Sequence, residues 1–176
     1  MMKKTSLAGD RAEDRLVSKT DRRIRFRGLI DSLEAETIEA QVLASGLGEP
    51  YYCGCLGELL AALRGILAAE VKETSFTLPD LFGFSPEELH RQTHNPAASF
   101  GLAGHPLPDY RQGSLAARLN TLRAHVREAE LYAVRAFCPE AAAGPAEVAA
   151  RREDLAQALN RLSSALYWLY CRLLSS

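Results

Sequence analysis

The sequence predicts an all-α fold, a bundle of four to five helices with one long crossover. The first observation is compositional: Leu and Ala occur 27 times each, whereas Val, Ile and Thr together occur 17 times, which favours helices over sheet. The second is a leucine repeat at heptad spacing in two separate segments. The third is size, because 176 residues, 47% of them hydrophobic, suffice for one domain with its own core.

Charge and cysteine content restrict the class of protein. Lys and Arg number 21 against 22 Asp and Glu, and this near-neutral balance lacks the basic surface of a nucleic-acid-binding protein. We expect no membrane span, since Glu58 and Arg64 interrupt the most apolar segment. The cysteines match no common zinc spacing and predict free thiols in the cytoplasm. The alternative for Cys53 and Cys55 is half of a soft-metal site.

The N-terminal half predicts an arm and two helices. Residues 1–20 are charged and not periodic, and we expect a flexible or ligand-ordered arm before a helical domain over residues 21–176. A first helix is predicted over 21–45, where two glycines end it. A second, over 52–73, has a wide apolar face and three glycines that weaken helix propensity and allow close packing.

The crossover is predicted over residues 74–112, which hold five of the eight prolines. Within it, Ser85 is a helix N-cap followed by a first-turn proline and two acids, so a short helix should reach about His94. His90 and His94 have the i, i+4 spacing of a metal-binding pair that faces inward. A solvent-exposed linker helix is the commoner context for such a pair.

The last two helices, the fourth and fifth of the bundle, carry the clearest pattern. Apolar residues recur at 4-3-4-3-4 spacing from Leu115 to Ala133 and again from Leu155 to Leu173. This spacing predicts two nearly antiparallel helices that pack at a shallow angle.

Polar residues lie one position beside the apolar seam of three helices. Arg123, Arg127 and Glu130 follow one another at one-turn spacing on the fourth helix, while Asp31 lies on the first and Asn160 on the fifth. Arginine pairs with carboxylate or phosphate through a planar, bidentate contact. A pair between Asp31 and Arg123 would leave Arg127 to hold an anion. Ordinary salt bridges on solvated helix faces are the alternative.

Three helix motifs resemble those of the ATP:corrinoid adenosyltransferases, in the same order and at similar spacing. The resemblance extends from about residue 18 to about residue 170. It is greatest to the ethanolamine-utilisation type, and the propanediol-utilisation type shares the three helix motifs. The matching segments are Ser18–Arg23 and Gly28–Ala35 on the first helix, Leu119–Glu130 on the fourth, Leu159–Ser164 on the fifth, and, for the ethanolamine type, also Leu89–Pro96 and Gln157–Ser164.

The resemblance implies a transferase that moves the 5′-deoxyadenosyl group of ATP to reduced cobalamin and releases triphosphate. Cobalt(I) is the nucleophile, so the protein's tasks are positioning and charge stabilisation. Magnesium or another divalent cation accompanies ATP. The same resemblance assigns a role to each residue. Asp31 holds Arg123 in position, while Arg127 and Asn160 bind ATP. Glu130 orients the arginines or metal-bound water.

Further site residues are expected outside the bundle helices. Thr5 and Ser6 resemble the tail of the family's phosphate loop, and with Lys19 they are assigned to ATP binding. Phe100 and Leu102 in the crossover are placed against the corrin ring by their position alone. The family also implies a homotrimer with active sites between subunits. It further implies a cytoplasmic location, with association to a bacterial microcompartment and delivery of the product to a cobalamin-dependent ammonia-lyase or dehydratase.

The chain departs from the family pattern in several places. The glycine-containing part of the phosphate loop and the N-terminal His and Cys metal motif are missing before Ser18, and Glu128 and Leu131 replace arginines. The alternative function is therefore a non-catalytic protein of the same fold that binds or delivers corrinoid. A di-iron carboxylate bundle is disfavoured, because Glu87 and His90 form the only Glu-x-x-His motif.

Overall fold

Four long helices form the fold, as predicted. The computed structural model describes residues 2–4, 16–18, 21–138 and 152–175. In chain order the described helices are α1 (Arg22–Gly46), α2 (Pro50–Lys72), α3 (Pro86–Thr93), α4 (Pro96–Phe100), α5 (Ser114–Phe137) and α6 (Glu153–Leu174). A 3₁₀ turn covers Tyr110–Gln112. In the arm, β1 (Met2–Lys4) pairs antiparallel with β2 (Leu16–Ser18). The all-α bundle with one crossover is confirmed.

Contacts between helix ends fix the topology. The start of α1 lies beside the ends of α2 and α5, as shown by the contacts of Arg23 with Glu70 and of Arg22 with Tyr132. The start of α6 also lies beside the ends of α2 and α5. Neighbouring helices are therefore antiparallel, and α2 and α5, on a diagonal, run in the same direction. Joining two such helices requires a connection that returns along the bundle, which is the role of the crossover.

The core follows the two heptad rows. Leucines of α5 and α6 meet those of α2 and the buried positions of α1, and Thr37, the buried polar residue of α1, donates its hydroxyl to the backbone oxygen of Leu33 at 2.7 Å. The centre of the bundle is lined by residues from all four long helices: Thr37, Leu59, Leu63, Leu122, Val126, Leu162 and Leu166.

The crossover covers the outer face of α6. The ring of Trp168 lies 5.4–5.8 Å, centroid to centroid, from those of Phe82, Phe84 and Phe100. Its Nε1 donates to Oε1 of Gln92 in α3 at 2.7 Å. Helix α6 is therefore enclosed by the bundle on one side and by the crossover on the other, which explains why most of its residues are buried.

Of the three α2 glycines, Gly65 allows the closest packing. A Cβ at Gly65 would lie 2.7 Å from the Phe76 ring, whereas one at Gly57 would lie 3.4 Å from the Gln41 amide and one at Gly54 would meet nothing. The expectation of close packing therefore applies chiefly to Gly65, where the start of the crossover crosses the helix.

Helix α2 is long and apolar enough, by length and composition alone, to cross a membrane, with a mean hydropathy of 1.4. Half of that segment is buried inside the bundle, as in the core helix of a globular protein. Near its end, the buried Glu70 carboxylate accepts from Nε of Arg23 at 2.5 Å and Nε of Arg27 at 2.6 Å. These contacts anchor α1 to α2.

Candidate functional site

A groove runs along α5 and α6 beneath the crossover, and we call it the α5–α6 groove. It consists of two cavities, of about 480 and 710 Å³, on consecutive turns of the same three helices. The smaller, the cationic half, is lined by His90, His94, His105, Arg123, Arg127, Ser163, Ser164, Tyr167 and the Pro106–Pro108 segment, among others. The larger, the acidic half, is lined by Asp80, Glu87, Glu130, Asp154, Asn160 and Arg161, among others.

The two arginines of the cationic half differ in how they are held. Nε and Nη2 of Arg123 donate to Oδ1 of Asn120 at 3.3 and 3.1 Å, and its guanidinium carbon lies 5.6 Å from the centroid of the Tyr167 ring. Arg127 is exposed and has no hydrogen bond or ion pair within the described part of the chain. No carboxylate is among the described residues that line this half. The cationic half is therefore suited to a polyanion.

A phenol and an imidazole complete one wall of the cationic half. Tyr167 OH and Nδ1 of His105 lie 2.9 Å apart, which joins α6 to the crossover. Burial, with smaller contributions from Cys171, raises the pKa of Tyr167 well above its ordinary value. The phenol therefore keeps its proton at neutral pH and is not a base there.

His90 and His94 form the opposite wall. Nδ1 of His90 lies 3.1 Å from Oγ of Ser164, and its Nε2 lies 3.0 Å from Nε2 of His94. Burial, followed by the charge of Arg161 and by His94, lowers the pKa of His90. The uncharged imidazole is therefore its favoured form at neutral pH.

The acidic half contains the other two predicted helix residues. Nδ2 of Asn160 donates to Oε1 of Glu130 at 2.8 Å, so α5 and α6 are joined at this level of the groove. The Asn160 backbone oxygen accepts from the hydroxyls of Ser163, at 2.9 Å, and Ser164, at 3.4 Å. The described contact of Glu130 is thus with Asn160 rather than with an arginine.

The expected ion pair between Asp31 and Arg123 is not formed within the described chain. Asp31 lies on the exposed surface of α1, because it follows the buried Ile30 by one position and is turned about 100° from it. Arg123 contacts Asn120 and Tyr167 instead. The structure therefore brings Arg123, Arg127, Glu130 and Asn160 to one groove and places Asp31 outside it.

The site residues expected outside the bundle helices lie partly in the crossover and partly in the arm. Phe100 packs on Trp168 and, like Leu102, is partly buried against the core, so neither side chain is free on the surface. The large apolar side chains exposed on the crossover are instead Leu107 and Tyr110, which are 84% and 85% exposed. The three residues of the arm, Thr5, Ser6 and Lys19, lie outside the described residues.

Several groove residues were not assigned from the sequence. Asn120, Ser163 and Tyr167 share the heptad rows of Arg123 and Asn160, so their spacing carried a signal for membership of the site. His105 had no such signal, because it lies in an irregular segment whose path depends on tertiary packing. Only the structure places it against α6.

The cationic half of the groove does not fit a protein-bound magnesium ion. Mg²⁺ prefers oxygen ligands, chiefly carboxylates, and the cationic half offers guanidinium, imidazole and hydroxyl groups. Within the described ranges, no three His, Cys, Asp or Glu side chains form a metal-binding group. Cys53 and Cys55 are free thiols within the described part of the chain.

Comparisons with known proteins agree on one family. A family model described as cobalamin adenosyltransferase matches residues 3–173. The corrinoid adenosyltransferases EutT of Salmonella typhimurium and Escherichia coli are each 32% identical over 154 residues, which are 88% of this chain and 54% of each relative. The chain thus spans about half the length of the curated relatives it matches. No solved structure is significantly similar to it.

Proposed function

Because the chain belongs to the cobalamin adenosyltransferase family, we propose that it transfers the 5′-deoxyadenosyl group of ATP to reduced cobalamin. The single observation that carries the proposal is the cationic half of the α5–α6 groove. There Arg127 lacks a protein partner among the described residues, and no described carboxylate lines the cavity with it. Such a cavity suits the triphosphate that leaves in this reaction.

The reaction requires charge stabilisation at the leaving group. The cobalt(I) electron pair attacks the ribose 5′-carbon, and the bond from that carbon to the triphosphate oxygen breaks. The electrons of the broken bond stay with the oxygen, so negative charge grows on triphosphate. Arg127 binds this charge, and Arg123, held by Asn120 and Tyr167, presents a second guanidinium in a fixed position. Magnesium or another divalent cation arrives bound to ATP.

Asn160 and Glu130 hold the nucleoside side of ATP in this proposal. Their hydrogen bond fixes the Asn160 amide one turn of α6 away from the serines of the cationic half. A nucleotide that places triphosphate against Arg127 therefore reaches Asn160 with its ribose or base.

The corrin substrate lies against the exposed edge of the crossover. Leu107 lines the cationic half and is almost fully exposed, and Tyr110 is exposed close by in the chain. Phe100 and Leu102 are partly buried against the core and are less accessible than this edge. Apolar contact there excludes water from the cobalt centre.

A homotrimer completes the site in this proposal. Asp31, Ile38 and Val42 lie on one exposed row of α1. Leu131 and Val134 are exposed on α5, where Val134 lines the acidic half of the groove. The α1 row of another copy covers this side of α5 and brings its Asp31 to Arg123. Light scattering on the wild type and on Asp31→Ala tests the assembly. A wild-type monomer that is fully active would contradict it.

The transferase is tested by mixing the protein with MgATP and chemically reduced cobalamin and following loss of the cobalt(I) absorbance. We expect turnover by the wild type and at least a tenfold loss in Arg127→Ala. Arg118→Ala is the matched control, because Arg118 lies on the same helix in an exposed ion pair with Glu39. Corrinoid binding without turnover by the folded wild type would favour the carrier alternative.

The similarity to the EutT relatives supports a proposal for the physiological setting. We place the protein in the cytoplasm, with its product delivered to a cobalamin-dependent ammonia-lyase in a bacterial microcompartment. Co-purification of the untagged protein with such a lyase tests this placement.

A further inference from the structure

We propose that His90 and His94 together chelate one divalent transition-metal ion at the mouth of the cationic half. The observation that carries this proposal is the distance of 3.0 Å between their Nε2 atoms in a pair spaced i, i+4 at the end of α3. Both rings line the same cavity as Arg123 and Arg127. The chelation is independent of the proposed transferase reaction.

The distance matches two ligands of one ion. With metal–nitrogen bonds of about 2.1 Å, two nitrogens 3.0 Å apart subtend an angle of about 90° at the metal. A hydrogen bond sets this distance in the metal-free pair, and the separation of about 3.4 Å that suits a tetrahedral ion differs from it by only about 0.4 Å. The two rings are nearly perpendicular, at 86°, and the soft χ2 torsions let both lone pairs turn toward one point.

The hydrogen bonds around His90 leave its Nε2 available as a ligand. When the Ser164 hydroxyl donates to the backbone oxygen of Asn160, at 3.4 Å, its own oxygen accepts from Nδ1–H of His90, at 3.1 Å. In this tautomer Nε2 of neutral His90 carries a lone pair. A metal-binding histidine is commonly oriented in this way, by donating its other N–H to a neighbour.

With His90 in this tautomer, Nε2–H of His94 donates to Nε2 of His90 in the metal-free pair. Metal binding replaces this shared proton, which moves to Nδ1 of His94. That change requires no rearrangement of the fold, because His94 is exposed to water.

The ligands indicate the class of ion. Two neutral imidazoles favour borderline ions such as Ni²⁺, Co²⁺, Fe²⁺ or Zn²⁺ over Mg²⁺ or Ca²⁺. The remaining positions are open to water or to anionic oxygens held by Arg123 and Arg127. An anion in the cavity also offsets the repulsion between the ion and the two guanidinium groups.

The test is a calorimetric titration of the full chain, without a histidine tag, with Ni²⁺ alone. No ATP or cobalamin is added, so the outcome does not depend on transferase activity. We expect one site per chain, weakened about tenfold or more in His90→Ala and in His94→Ala, because loss of a ligand exceeds the usual effect of losing a supporting contact. His125→Ala is the matched control, since His125 lies on α5 beside Glu36 and outside the groove.

Two further readouts keep the proposal falsifiable. His94 is exposed, so His94→Ala should fold normally. His90→Ala also loses the contact with Ser164 and is the less certain of the two to fold. Circular dichroism checks the folding of both variants. The absorption spectrum of the Ni²⁺ complex should lack a thiolate charge-transfer band, which excludes the cysteines as ligands. An unchanged Ni²⁺ affinity in folded His94→Ala, or a thiolate band, would overturn the proposal.

Discussion

Replacement of Glu70 by alanine should lower the free energy of unfolding by about 2–3 kcal/mol. The side chain is 1% exposed, and its carboxylate oxygens accept from the Nε atoms of Arg23 and Arg27 at 2.5 and 2.6 Å. Removal of one partner from a buried pair costs about 3–5 kcal/mol, because the other charge stays behind unpaired. The arginine side chains are 38% and 18% exposed, so water recovers part of this energy and the cost is reduced.

Glu73→Ala is the matched control, because Glu73 also pairs with Arg23 at 2.5 Å but is 65% exposed. An exposed pair contributes at most about 1 kcal/mol. Urea unfolding followed by circular dichroism measures the stability of both variants. If the free energy of unfolding falls by about 2–3 kcal/mol per molar urea, the midpoint of Glu70→Ala should be lower than that of the wild type by about 1 M. Equal midpoint shifts in the two variants would refute the reasoning that burial sets the cost.

Two further predictions concern packing and pH. Gly65→Ala should lower the free energy of unfolding by about 1–3 kcal/mol, because the new Cβ would lie 2.7 Å from the Phe76 ring. Gly54→Ala, which meets no neighbour, should raise it by about 0.5–1 kcal/mol. Thermal unfolding compares the two variants, and stabilisation by both would contradict the close contact at Gly65. Burial alone would raise the pKa of Asp154, but hydrogen bonds from Arg152 and the Phe76 N–H lower it. Its contribution to stability is therefore present above about pH 4 and lost as the pH falls through the lowered folded value. Asp154→Asn should cost stability at neutral pH and little at about pH 2, and a cost that persists in acid would argue against this ionic contribution.

The long helices could be predicted because the positions that a bundle buries recur with the period of the helix, and leucines occupy these positions in the sequence. Leu155 to Leu173 defined α6 to within about two residues at each end. The second covered face of α6 was not anticipated, because Trp168 lies off the heptad row and its partners are far away in the sequence. The path of the crossover is set by these aromatic contacts and not by a local repeat.

The site was predictable to the extent that it lies on helices. Arg123, Arg127, Glu130 and Asn160 reach one groove because heptad rows on packed helices meet, a geometric consequence of their spacing. Asp31 also lies on such a row, yet the spacing does not specify whether its partner belongs to the same chain. The roles of these residues in ATP and corrinoid binding stay predictions until the variants are measured.

The covering of α6 by the crossover gives the molecule an internal optical reporter. Trp168 is the single tryptophan of the chain, and its indole is held by three phenylalanine rings and by Gln92, all of which belong to the crossover. Its fluorescence emission therefore reports whether the crossover is packed on α6, while far-ultraviolet circular dichroism reports the helices of the bundle. A ligand that loosens or tightens the packing of the crossover should shift the wavelength of tryptophan emission, without an added label.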